Sequence, residues 1–200
     1  MIASEILAKF ELQVADASEL STTEELDLLN DVYGDVCDDR DWEWLRTTFT
    51  GSTSATVPYI TLPTDFKNIV PNTDSKSIVF VGTDYQEYIV VPFSSRRAHR
   101  NQDGYCYIDY PAQRLYFTLQ PTSVKQVEFD YTKITPDLIL TSSPLFRVGF
   151  HPVLAYGMAA RFNPLELSDK STSYRNENTA LYLEQLSEMA MEDAKIKLAI

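Results

Sequence analysis

Histidine, cysteine and glycine are all scarce in this chain: two, two and six in 200 residues. Neither His99 nor His151 has a carboxylate or a thiol at metal-ligand spacing on its own element, which argues against a metal centre. The glycines are scattered, so there is neither a phosphate-cradling loop nor a G-x-S-x-G elbow, and no cofactor is expected. No apolar run approaches the roughly eighteen residues of a membrane span. Met1 to Phe10 lacks the basic region and apolar core of a signal peptide. A soluble protein, not exported by that route, is expected. Cys37 and Cys106 each sit among apolar or aromatic neighbours, the pattern of two buried thiols in a reducing compartment rather than of a disulfide.

Positive charge is also short: 17 Lys and Arg stand against 29 Asp and Glu, for a net charge of −12. The deficit is local. Residues 16–43 hold eleven acidic residues against Arg40 alone, whereas residues 46–132 are neutral in sum. Gripping DNA by its phosphates needs the opposite sign. An acidic face serves either as a solvated surface or as a wall that DNA passes without sticking. An acidic DNA mimic is disfavoured, because the carboxylates occupy one short segment rather than a duplex-sized surface.

A hydrophobic content of 44% is ordinary for a globular protein, and the length suffices for a real core. The strongest local signal is Ser21 to Leu45. Overlapping capping boxes, Ser21 to Glu24 and Thr22 to Glu25, start a helix. Leu26, Leu29, Tyr33, Val36 and Cys37 then form its apolar stripe. Asp27, Asp31, Asp35, Asp38 and Asp39 fall on its other faces. This stretch is expected to organise the chain. Residues 3–15, with Ile6, Leu7, Phe10 and Val14, predict a helix that pairs antiparallel with it through a turn over ADASELS. Residues 47–56, TTFTGSTSAT, read as a polar loop.

Seven stretches rich in β-branched and aromatic residues follow: VPYITLP, FKNIV, SIVFVG, EYIVVPF, YCYIDY, RLYFTL and VKQVEFDYTK. Tyr107 to Phe117 around Pro111-Ala112-Gln113 is the clearest hairpin. Beyond Pro144 the period is helical again, with Pro152 in a first turn or at a kink and a stop at Asn163-Pro164. The polar loop LSDKSTS then leads to a last helix from Tyr174 to Ile200, with Leu181, Tyr182, Gln185, Met189, Glu192 and Ile196 on related faces. The expected fold is α+β: an antiparallel helical body from N- and C-terminal helices, with a small antiparallel β-sandwich or barrel inserted. The expected parts are a helical hairpin over 1–48, a β domain over 56–135, and helices over 144–200 that complete the body.

Three constellations are candidates for function. Trp42 and Trp44 either anchor an interface, plug the junction between helix and sheet, or divide those roles. Arg96, Arg97, His99 and Arg100 form the single basic cluster. It either meets an acidic partner or a neighbouring copy's acidic helix, or is a polar hairpin tip. Carboxylate pairs such as Asp41 with Glu43, or Asp109 with Asp130, could serve a glycosidase, although 29 acidic residues produce such pairs by chance. The run Asp35, Asp38, Asp39, Asp41 lacks the alternation and central glycine of a calcium loop.

The order of local patterns, EELDLLNDVY, then D-R-x-W-x-W-L, then Y-I-T-L-P-x-D-F-K from Tyr59 to Lys67, then the tyrosine-rich hairpin Tyr105 to Thr118 and V-x-F-D-Y from Val127 to Tyr131, resembles the head-to-tail adaptor proteins of tailed bacteriophages. That group includes the tail tubular protein A of short-tailed phages and related neck proteins. The resemblance implies a structural virion protein, not an enzyme, assembled in the host cytoplasm as a ring, usually dodecameric, beneath the portal. It would extend the DNA channel, let genomic DNA pass without specific binding, and give the tail or a second neck protein its docking surface. Carried onto this chain, Tyr174 to Ile200 would face the portal, with Tyr182, Met189 and Ile196 as contact candidates. Trp42, Trp44, Arg96, Arg97 and Arg100 would meet neighbours, and Asp27, Asp31, Asp35, Asp38 and Asp39 would face the channel. The alternatives are another tail-completion or baseplate component, or a virion-associated cell-wall hydrolase using Glu43, Asp109 and Asp130.

Overall fold

The computed structural model describes residues 1–14, 20–72, 74–162 and 169–199. The chain divides into two compact units, one built from Met1–Leu45 with Thr135–Ile200 and the other from Arg46–Ile134.

The first unit is helical. Helix α1, Ala3–Gln13, buries Ala3, Ile6, Leu7 and Phe10. Helix α2, Thr22–Asp38, begins on the expected capping box, the Ser21 hydroxyl accepting from Glu24 N and the Glu24 carboxylate accepting from Ser21 N at 2.7 Å. It buries Leu29, Val32, Tyr33, Val36 and Cys37. Helix α3, Pro152–Arg161, starts later than the apolar pattern suggests, after a 3₁₀ turn at Val148–Phe150. Pro152 has no amide hydrogen to donate, so it takes the first helical position rather than a kink. Helix α4, Asp169–Ala199, includes residues 169–173 of the stretch read as a loop, because a polar helical turn carries no apolar period to reveal it.

The organising element of this unit is α3, not the Ser21 to Leu45 stretch. α3 packs against α1, α2 and α4, whereas α1 and α2 make a smaller contact with each other. Val153, Leu154, Ala155, Met158 and Ala159 leave it apolar nearly all round, the composition of a buried helix rather than a surface one. Gly157 permits the closest approach: a Cβ there would lie 2.6 Å from Val32 Cγ1 and 2.9 Å from the Tyr182 ring. The chain returning from the β unit is stapled across α1 and α2. The Asn30 amide donates to Leu138 O at 3.1 Å and accepts from Leu138 N at 2.7 Å, and Ala3 N donates to Ser142 O at 2.8 Å. His151, buried, places Nδ1 2.9 Å from Met1 O and Nε2 2.9 Å from Phe146 O. Residues 15–19 of the turn expected over ADASELS, and the stop at Asn163-Pro164, fall outside the residues described.

The second unit is an eight-stranded sheet, rolled into a nearly closed, barrel-like form. Its strands are β1 Arg46–Ser52, β2 Tyr59–Thr61, β3 Phe66–Ile69, β4 Ile78–Val81, β5 Gln86–Val90, β6 Tyr105–Asp109, β7 Arg114–Phe117 and β8 Gln126–Lys133. Strands β2 to β8 are the seven stretches expected. β1 corrects the loop reading of TTFTGSTSAT over residues 47–52: Arg46 to Ser52 pair with residues 132 down to 126 of β8, and a partner strand satisfies a threonine-rich backbone that has little apolar pattern of its own. The order is β1-β8-β4-β5-β6-β7-β2, with β3 beside β8. The sheet is mixed, not antiparallel throughout, because β5 and β6 run parallel. The Tyr107 to Phe117 hairpin forms as expected, with Tyr107 opposite Tyr116 and Asp109 opposite Arg114. Side chains alternate across each strand, and Ile60, Val79, Val81, Cys106, Leu115, Val127 and Phe129 fill the core. Both cysteines are buried, and neither is in a disulfide.

Candidate functional site

In the helical unit, Trp42 is fully buried. Its indole N–H donates to Val36 O at 2.6 Å, beyond the reach of α2's own ladder, and its ring stacks on Trp44 at 5.6 Å. Trp44 is half-buried and meets Phe146 edge-on at 5.3 Å. Trp42 therefore plugs the helical core and positions Trp44. Trp44, Phe146, Phe150, Met189 and Ile196 line a small apolar groove of about 110 Å³, with the Arg147–Glu192 ion pair on its rim. This groove gathers three of the residues singled out in the sequence, Trp44, Met189 and Ile196. Tyr182 lies elsewhere, against Gly157 of α3, and burial pushes its hydroxyl pKa up. The groove's floor is anchored by Asp193, buried, which accepts from Glu43 N at 2.7 Å and pairs with Lys197 at 2.7 Å.

Asp27, Asp31, Asp35, Asp38 and Asp39 are all exposed. Asp35 pairs with Arg161 of α3, and Asp39 pairs with Arg40 at 2.8 Å. Glu25, on the same helix, is buried instead, and burial with the nearby Glu11 charge raises its carboxyl pKa.

In the β unit the basic cluster is not a hairpin tip. Parallel neighbours need a connection of a dozen or more residues, and Val91 to Gly104 is that connection between β5 and β6. Successive turns hold it: Ser95 N donates to Pro92 O at 2.8 Å, Ala98 N to Ser95 O at 3.0 Å, and Asn101 N to Thr118 O at 3.1 Å. The Arg96 guanidinium donates to Phe93 O at 2.7 Å and lies 3.7 Å from the Phe93 ring centre. His99 packs on Tyr105 at 4.3 Å. Arg96, Arg97, Arg100, Asn101, Tyr107 and Thr118 line a depression of about 280 Å³.

From this depression a stack of rings runs over the side of the sheet opposite its core. Phe93 meets Tyr107 at 5.8 Å, Tyr107 lies parallel to Tyr116 at 5.3 Å, and Tyr116 meets Tyr59 at 5.3 Å. The far end is covered by Arg114, 4.1 Å from the Tyr59 ring centre. Burial pushes the Tyr107 hydroxyl pKa up. The sequence reading singled out the arginines but not the rings. The alternation of Tyr105 and Tyr107 with Cys106 and Ile108 marks one tyrosine face, yet only the sheet order brings Tyr59 and Phe93 to it.

The carboxylates weighed for hydrolysis lie on different elements. Asp109 ends β6 opposite Arg114. Asp130 accepts from Thr48 Oγ1 at 2.6 Å, and Glu43 belongs to the helical unit. Among the described residues, no group of three or more His, Cys, Asp or Glu is placed to hold a metal ion, and no helix is long and apolar enough to cross a membrane.

What the two units offer is contact surface: an aromatic groove, an acidic helix face, and a ring stack bounded by arginines. That is the equipment of an assembly protein. The SU10 adaptor protein family model matches residues 1–197, and the chain belongs to that family. The family is one of structural bacteriophage adaptors rather than enzymes, which makes the chain a virion component. No curated protein matches the chain.

Proposed function

We propose that the chain is a head-to-tail adaptor of the tail tubular protein A kind, assembling as a ring of twelve copies beneath the portal. The ring extends the DNA channel and gives the tail or a second neck protein its docking surface. The observation that carries this reading is the match of nearly the whole chain to an adaptor family. The structure adds chemistry that suits the role. Carboxylates concentrated on the exposed side of α2 repel phosphates, so a channel lined by Asp27, Asp31, Asp35, Asp38 and Asp39 passes DNA without holding it. The groove of Trp44, Met189 and Ile196 is a shallow apolar socket of the kind that receives an aromatic or aliphatic anchor, and we assign it to the portal side. We assign the β unit, with its Arg96–Arg100 loop, to the next neck component.

The test is the native mass of the protein alone and after mixing with the portal ring from the same genome. Addition to the portal as a complete ring is the expected result. A protein that ignores the portal belongs instead to the tail-completion or baseplate components.

A further inference from the structure

We propose that the β unit's ring stack, from Arg96 to Arg114, docks a carboxylate-rich segment of a protein partner, with the depression at its Arg96 end receiving one carboxylate. The inference rests on the adaptor reading for where that partner stands, as the next neck or tail component. Three observations carry it.

The first is charge. None of Arg96, Arg97 and Arg100 forms an ion pair with a described residue, whereas Arg40 pairs with Asp39, Arg147 with Glu192 and Arg161 with Asp35; Arg114, at the far end of the stack, stands opposite Asp109. Three guanidiniums without a carboxylate on one loop are matched by an acidic partner, and their planar forks suit carboxylates two oxygens at a time.

The second is which part of the rings is free. Single-stranded nucleic acid is held by bases stacking on open aromatic faces. Here those faces are already used: Tyr107 and Tyr116 lie on each other at 7° between planes, and arginines cover Phe93 and Tyr59. Ring edges and hydroxyls are what remain, and these serve a polypeptide's carbonyls and carboxylates better than a base.

The third is rigidity. The arginine loop is held by its own turns, and each tyrosine is fixed by its neighbours. Little side-chain freedom is lost on binding, as in tyrosine-rich recognition surfaces.

The experiment uses the intact protein with two fluorescent probes, decaglutamate and a ten-nucleotide oligothymidylate, each titrated at low and moderate salt. The inference expects decaglutamate to bind, more weakly as salt screens the arginines. The Arg97→Glu/Arg100→Glu variant and, separately, Arg114→Glu should each weaken it about tenfold, near 1.4 kcal/mol. Tyr107→Ala should weaken it too, while Asp27→Asn should not. Unchanged melting curves establish that these surface variants fold. Absence of decaglutamate binding, binding indifferent to the arginines, or oligothymidylate binding equally tightly through them overturns the inference. So does self-association through this face that Asp27→Asn abolishes, since the occupant is then the α2 of a second copy. Portal binding by Arg97→Glu/Arg100→Glu separates the two readings: if it persists while decaglutamate fails, only this inference falls.

Discussion

At the scale of single residues, the helical unit shows that an acidic stretch is not uniform. Glu24 is fully exposed, and its carboxyl pKa is lowered by the Ser21 hydroxyl and amide that the capping box supplies. Glu25, the next residue, is buried with its pKa raised by lost solvation and by Glu11. A raised carboxyl favours the protonated form in the folded state. Its contribution is therefore fully present below the unfolded value and is lost as pH rises through the folded one. Glu25→Gln should melt higher than the native protein at pH about 7.5, and the gain should shrink towards pH about 5. Melting curves of both proteins at the two values check this, and a gain that grows on acidification would reject it. The capping box was legible in the sequence because it is local: Ser21 and Glu24 act within one turn. The burial of Glu25 was not, since it depends on what packs over the first turn of α2.

At the scale of elements, the same distinction decides what could be read. The Tyr107 to Phe117 hairpin and the stripe of α2 repeat with the period of their own backbone. β1 does not, and becomes a strand only because β8 lies beside it. Nor could local pattern show that β5 and β6 run parallel, because direction is a property of the connection, not of either strand. α3 was legible as a helix but not as the hub, since a helix apolar on every side has little period to point with. Its centrality can be tested at Gly157. Alanine there gains helix propensity, by about 1 kcal/mol, yet its methyl must displace a stiff valine and a packed tyrosine ring. Gly157→Ala should be destabilising overall by about 1–3 kcal/mol, lowering the melting temperature by several degrees. A variant as stable as the native protein would show that α3 is not closely packed. The candidate site followed the same rule. Its arginines Arg96, Arg97 and Arg100 stand close together in sequence and were legible, as was the hairpin that sets Tyr107 opposite Tyr116, whereas Tyr59 and Phe93 needed the sheet to bring them to it.

At the scale of the molecule, each unit has its own core, but only the β unit is one continuous stretch of chain. Residues 46–134 expressed alone should fold, with a cooperative thermal transition and protease resistance. Residues 1–45 alone should stay without fixed tertiary packing, because the surface that buries Leu29, Val32 and Val36 arrives with α3. A non-cooperative melt of the 46–134 fragment would sink this reading. The discontinuity of the helical unit also sets an order in time. At a synthesis rate of about 5–20 residues per second, α2 leaves the ribosome roughly 6 to 25 s before α3 follows, and for that interval its apolar stripe has nothing to cover it. Nascent chains on one messenger are then neighbours with matching sticky faces. Ten net negative charges on the same short segment keep them apart until the last helices arrive, so these carboxylates guard the chain while it is still being made.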